Sequence, residues 1–189
     1  MHDDLEATRR REGFAFLAGF TFCIPAANWL IGNVGTVCVP QGPCLIPVAP
    51  NIMAPSGVLM IGLALVLRDL VQRRLGLRWV IAAILFGAAL SGFLAPPALV
   101  IASAIAFLLS EMADLGVYTP LQRRRLMLAV VASSMVGLVV DSIVFLYLAF
   151  GSLDFLLGQV LGKAWMVLLA LPFVRWLRRR DVRLGLATA

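Results

Sequence analysis

Leu126–Phe173 reads LMLAVVASSMVGLVVDSIVFLYLAFGSLDFLLGQVLGKAWMVLLALPF, two apolar runs of helical length parted by a short break at Gly151 and Ser152. A hydrocarbon core of ~30 Å takes roughly 17–25 helical residues per crossing. Lipid offers the backbone no hydrogen-bond partners, so only helices or closed barrels can span it. These runs are too long and continuous for barrel strands. The break is so short that the second helix must return antiparallel beside the first. Within this hairpin stand two opposite charges, Asp141 and Lys163, each eleven residues from Ser152. At about 1.5 Å per residue both lie ~16 Å from the turn, level with one another near the bilayer midplane.

The same pattern extends over the rest of the chain. Of its 189 residues 61% are hydrophobic and 14% charged, with a mean hydropathy of +0.96. Soluble domains sit near half apolar and a quarter charged. The sequence predicts six transmembrane helices, at about 14–31, 52–70, 79–94, 98–114, 126–150 and 155–174, in an all-α bundle forming one integral membrane domain over 1–189. Pro96 and Pro97 end the third helix and open the fourth, where a missing N–H is harmless. No low-complexity tract or repeat interrupts the pattern.

Basic residues set the orientation. Arg9–Arg11, the group Arg68, Arg73, Arg74 and Arg78, then Arg123–Arg125 and the run from Arg175 to Arg183 hold all but one of the 16 Lys and Arg residues. Six crossings place them on one side, and the opposite loops (32–51, 92–97 and 151–154) carry none. Basic loops stay cytoplasmic, so both termini are expected inside a bacterial inner membrane. The net charge of +6 then calls for anionic headgroups as partners and no nucleic acid. A competing expectation is a signal peptide cleaved near Ala26 and Ala27; the apolar run continues through Trp29–Ile31, which argues against it.

Lys163 is the remaining cation. An unpaired charge at the midplane costs ~2.5–3.5 kcal/mol or more, and pairing with Asp141 offsets much of that. The pair either fixes helix packing alone or faces a polar cavity. Other polar residues favour a cavity. Ser134, Gly137 and Asp141 share one helical face, as do Gln159, Lys163 and Met166, whereas Trp165 points away. Ser103, Phe107, Ser110 and Asp114 form a stripe with Glu111 beside it, Glu111 lying toward the cytoplasmic, interfacial end. Arg68 and Asp69 end the second helix on that side and could pair with Glu111 or Asp114 as a gate or a structural clamp. Asn28 adds a polar group in the first helix.

Other motifs carry less. Gly158–Lys163 is one residue short of a phosphate-binding loop and lacks its Ser or Thr, so Gly158 and Gly162 read as a close-packing pair. His2 is the single histidine, which leaves no Ser-His protease, no histidine metal site and no expected cofactor. Cys38 and Cys44 fall in the external loop, where a disulfide can form, and Cys23 reads as an apolar helix residue.

Four segments together resemble one family. Ala54–Gly76 (APSGVLMIGLALVLRDLVQRRLG), Ser110–Leu121 (SEMADLGVYTPL), Ala132–Ser142 (ASSMVGLVVDS) and Gly158–Lys163 (GQVLGK) are similar in order and spacing to the vitamin uptake transporters, best known for queuosine precursor transporters. Ser134 stands where the family pattern has Asn. The resemblance implies uptake of a 7-deazaguanine base, such as the 7-cyano or 7-aminomethyl form. Asp141 and Glu111 are expected to accept from the base and Gln159 and Lys163 to donate, with Phe107 or Trp29 as a stacking face. A stand-alone transporter is the first expectation. A substrate-binding subunit of an ATP-driven importer is the alternative, and an enzyme is not expected; self-association is left open.

Overall fold

The computed structural model describes residues 2–40, 42–94 and 100–184, with side chains from Leu5 onward. Among these residues six α-helices run α1 (His2–Asn33), α2 (Val58–Leu75), α3 (Leu77–Leu94), α4 (Val100–Leu121), α5 (Leu126–Phe150) and α6 (Leu156–Leu184). Pro96, Pro97 and the expected start of the fourth helix at Ala98 lie outside the described residues.

The helical expectation holds with one addition. A three-stranded antiparallel sheet, β1 (Val37–Cys38), β2 (Cys44–Ala49) and β3 (Ile52–Pro55), occupies the long loop after α1. It corrects the start expected for the second helix at Ile52. Pro47, Pro50 and Pro55 cannot supply the N–H groups of a helix, so the chain stays extended and turns helical only after Gly57. Val37 pairs Leu45 and Cys38 pairs Cys44, and the latter two are joined by a disulfide. Ile46 pairs Ala54 and Pro47 pairs Met53, with a register shift between Pro47 and Ala49. That irregularity is the position in which a central strand accommodates proline.

The charged ends of the helices reach beyond the apolar runs. α1 begins at His2, α4 continues to Leu121, and α6 passes Pro172 to reach Leu184. Hydropathy marks only the part of a helix that suits lipid, so these polar turns are invisible to it. α5 spans the expected 126–150. Gly151 ends it in the left-handed region at φ 62°, donating its N–H to the Tyr147 carbonyl at 3.1 Å; glycine adopts that conformation without a Cβ penalty.

Five helices are long and apolar enough to cross a membrane: α1, α3, α4, α5 and α6. α2 is the exception. Its 18 residues hold Arg68, Asp69, Arg73 and Arg74, a load that lipid contact would penalise. The bundle resolves this by surrounding α2 with the other helices. Ala64 and Val71 of α2 enter a core with Phe20, Ile24, Val80, Ile84 and Phe107. Val66 and Leu70 enter another with Tyr118, Leu126, Val130, Val167 and Val174. Meanwhile Phe22, Leu85, Phe86, Phe93, Ile101 and Leu169 are exposed on the outer helices, the inside-out pattern expected of a surface that meets lipid.

Small residues set the tightest crossings. A Cβ on Gly62 of α2 would lie 2.6 Å from the Lys163 carbonyl oxygen, so only glycine lets α2 cross α6 there. Gly158 and Gly162 are a close-packing pair, but their partners are Met53 and Ala54 of β3, Val48 of β2 and Val58 opening α2. The sheet therefore leans on the start of α6.

Candidate functional site

Polar side chains lie in three layers between the sheet end of the bundle and its opposite, arginine-rich end. The first is built on α5 and α6. Lys163 Nζ donates to Asp141 Oδ2 at 2.5 Å, to Gln159 Oε1 at 2.6 Å and to Ser142 Oγ at 2.8 Å. An ammonium has three donors, and all three are used. The Ser142 hydroxyl in turn donates a hydrogen bond to the Leu138 carbonyl oxygen at 2.6 Å. Complete satisfaction is what makes a buried ion pair tolerable, because desolvation otherwise outweighs the attraction. Lys163 is sealed at 1% exposure, yet the Asp141 side chain keeps 12%. Its Oδ1 makes no hydrogen bond among the described residues and is the open acceptor of the pair.

Asp141 lines a cavity of about 80 Å³, measured as space open to the centre of a water molecule. That space can hold several waters. Asp141, Gln159 and Lys163 line it together with Asn28, Ser91, Ser103, Phe107 and Phe145. Ile31, Pro55 and Gly57 border it at the sheet end. Few polar groups amid apolar and aromatic walls is the usual make-up of a small-molecule site. The Asn28 amide donates back to the Ile24 carbonyl at 3.0 Å, leaving its oxygen as an acceptor. Gln159, whose oxygen is held by Lys163, keeps its amide nitrogen as a donor.

The second layer lies about one to two helical turns deeper. Arg68 of α2 spreads its guanidinium over three carboxylates: Nε meets Glu111 Oε2 at 2.9 Å, NH1 meets Asp69 Oδ1 at 3.0 Å, and NH2 meets Asp114 Oδ1 at 2.5 Å. No side chain in this cluster exceeds 3% exposure. Ser133 of α5 donates to Asp69 Oδ2 at 3.1 Å, and the Arg68 Cζ lies 5.9 Å from the centre of the Tyr118 ring. Gly137, one turn before Asp141, makes room for this layer: a Cβ there would stand 3.1 Å from Asp114 Oδ2.

The third layer closes the arginine end. Arg74 meets Asp181 at 2.7 Å and Glu12 at 2.8 Å, Arg73 meets Asp181 at 3.1 Å, and Arg180 pairs with Glu12. These contacts join α1, α2 and α6.

The expected site residues thus separate. Asp141, Lys163, Gln159, Asn28 and Phe107 come together around the cavity. Glu111 and Asp114 do not line it: they are buried against Arg68, and α4 runs about two turns beyond Asp114. Arg68 and Asp69 meet both Glu111 and Asp114. Ser134 is fully buried, has no hydrogen-bond partner among the described residues and does not border the cavity. Trp29 is 60% exposed on the outer face of α1, since one residue after Asn28 is a turn of about 100°; it offers no stacking face. Phe145, one turn after Asp141, lines the cavity with Phe107 instead. Sequence reasoning also missed Ser142, Ser91 and Asp181. Ser142 had a signal, a hydroxyl next to the midplane acid; Asp181 lay beyond the expected helix end.

No curated protein and no solved structure matches the chain. A family model described as "Putative vitamin uptake transporter" matches residues 91–177, a stretch that takes in α4, α5 and the part of α6 holding Gln159 and Lys163. Over residues 91–177, which carry Glu111, Asp114, Asp141 and Lys163, the chain is similar to that transporter family, and its five long apolar helices suit a multi-pass membrane protein.

Proposed function

We propose that the chain imports a small planar heterocycle, a 7-deazaguanine-type queuosine precursor, through the cavity beside Asp141. The observation that carries this reading is a carboxylate held by Lys163 through one oxygen while its side chain stays partly exposed in the cavity it lines. Asp141 Oδ1 and the Asn28 carbonyl oxygen accept from ring and exocyclic N–H groups. The Gln159 amide nitrogen donates to the ring carbonyl, and Phe107 and Phe145 wall the faces. Lys163 positions Asp141 and Gln159, its own donors being spent on them.

Six crossings, with both termini cytoplasmic in a bacterial inner membrane, fit the arginines gathered at one end and the disulfide-bearing sheet at the other. In this orientation the cavity opens outward, and the Arg68 layer followed by the Arg73–Arg74–Asp181 layer bars the way inward. All 189 residues act as one transport domain, expected to work alone.

The test is uptake of labelled 7-deazaguanine bases by cells unable to make them, with and without this chain, followed by the purified chain in liposomes. Uptake by the chain alone excludes an ATP-driven importer subunit. Asp141→Asn, confirmed as inserted at normal levels, should lose uptake. Transport equal to that of the unmodified chain would refute the site.

A further inference from the structure

Arg68 stands against more negative charge than it can neutralise. With every carboxylate ionised, one guanidinium would face Asp69, Glu111 and Asp114, leaving a buried cluster two charges negative. The surrounding elements do not restore the balance. α5 contributes the neutral Ser133 and brings Asp141 within electrostatic reach of Glu111, a further negative charge. Lys163 of α6 is committed to Asp141, and Arg73 of α2, within reach of Tyr118, is paired with Asp181. Among the described residues no group of His, Cys, Asp or Glu is disposed to hold a metal ion. A proton on a carboxylate oxygen is the cation that fits.

A second observation points the same way. Tyr118 lies one turn after Asp114 on α4, with its ring beneath the Arg68 guanidinium. Its hydroxyl is wholly buried and has no hydrogen-bond partner among the described residues, yet lies within electrostatic reach of Asp69, Asp114 and Arg68. An orphaned O–H is rare in a packed interior, and beside carboxylates it is suited to passing a proton. Beyond it, Gln72 Nε2 donates to Thr119 Oγ1 at 3.0 Å, and both residues line a second cavity at the arginine end with Arg9, Arg73 and Arg123. On the other side, Glu111 follows the cavity-lining Phe107 by one turn. The cluster therefore lies between the ligand cavity and the arginine-end cavity.

We propose that the Arg68–Asp69–Glu111–Asp114 cluster is a proton-binding site that couples inward movement of the ligand to inward movement of a proton. Glu111 takes a proton from water in the ligand cavity, forming one O–H bond as a hydronium O–H breaks. When the inner layers part, the proton leaves through Tyr118 and the Gln72–Thr119 pair to water at the arginine end, and no electrons are transferred. The coupling rests on the uptake reading above, whereas proton binding by the cluster does not.

Two measurements keep these apart. The first is infrared spectroscopy of the purified chain without any base: the C=O stretch of a protonated carboxylic acid should be present and should weaken in Glu111→Gln. Its absence from the unmodified chain overturns the proposal. The second uses liposomes containing a pH-sensitive dye and labelled 7-cyano-7-deazaguanine. With acid outside, the unmodified chain should concentrate the base about tenfold per pH unit at one proton per base, and the lumen should acidify as base enters. Glu111→Gln should lose gradient-driven accumulation and keep base-for-base exchange. Accumulation indifferent to the gradient while exchange persists, or an unchanged response in Glu111→Gln, overturns coupling. If Glu111→Gln fails to insert, Tyr118→Phe, which removes only the orphaned hydroxyl, should slow accumulation several-fold more than exchange; equal rates overturn the relay. A carboxylic acid band with no base uptake at all would sink the transport reading and leave the proton site standing.

Discussion

Lys163→Met removes the ammonium while nearly preserving the volume and flexibility of the side chain. The variant loses three hydrogen bonds, to Asp141, Ser142 and Gln159. Breaking a buried ion pair from one side costs about 3–5 kcal/mol. The 12% exposure of Asp141 to the cavity lets water or a proton relieve part of this, and the stranded Gln159 oxygen adds about 1 kcal/mol. A loss of about 3–4 kcal/mol is expected. Asp141→Asn leaves an unpaired ammonium that still has oxygen acceptors, for about 2–4 kcal/mol. The double variant holds no buried charge at this layer and should lose only ~1–2 kcal/mol. The singles and the double thus differ by a coupling of at least ~3 kcal/mol. Cys23 provides the assay: it is free and buried at 2% exposure, while Cys38 and Cys44 are bonded. A thiol-reactive fluorophore therefore reports thermal unfolding in detergent from one position. Lys163→Met should lower the midpoint by about 6–15 °C. Singles that each cost under ~1 kcal/mol, or a double variant as unstable as their sum, would refute the reasoning.

The other layers and crossings lead to further expectations. Arg68→Ala strands three buried carboxylates and should deplete the chain from membranes, at a cost of at least ~3–5 kcal/mol; normal abundance and melting would contradict the ion-pair geometry. Gly62→Val drives a side chain into the Lys163 backbone and should cost about 1–3 kcal/mol, whereas Gly116→Ala, whose added Cβ would meet open space, should be neutral or stabilising by up to about 1 kcal/mol. The same Cys23 melt compares them. Trp165→Phe removes the Nε1–H bond to the Val48 carbonyl at 3.1 Å and should speed proteolysis between residues 37 and 49 with little change in melting. Phe107→Leu keeps the cavity filled and loses an aromatic face, so equilibrium binding of a 7-deazaguanine base should weaken by about 0.5–1.5 kcal/mol; unchanged affinity would remove Phe107 from the site.

The parts of this architecture legible in the sequence are those set by a long period and a sharp stop. α5 was readable to its ends because Arg125 and Gly151 bound an unbroken apolar run, and equal distances from Ser152 sufficed to level Asp141 with Lys163. The sheet was not readable: strands of two to six residues, cut by prolines, show neither clean alternation nor helical spacing. The partition of the acids was hidden for another reason. Glu111 and Asp114 share a helical stripe with Phe107, and periodicity alone cannot tell which neighbour each turn of a helix meets. Their assignment depended on α2 lying at the centre of the bundle, which brings Arg68 to them and leaves the cavity to Asp141. The inner layer depended on polar helix turns beyond the apolar runs, where hydropathy has nothing to report.

Every cationic side chain but one in this chain is an arginine. Lys163 therefore carries the sole side-chain primary amine, and it sits behind a carboxylate at the edge of a small cavity. Acylating reagents modify amines and leave guanidinium groups untouched at neutral pH, so stoichiometric labelling would have one internal address. Its rate would follow how often the ammonium breaks free of Asp141, and an occupant in the void would block it. The chain thus comes with a built-in chemical reporter of occupancy that needs no engineered cysteine and no knowledge of the cargo.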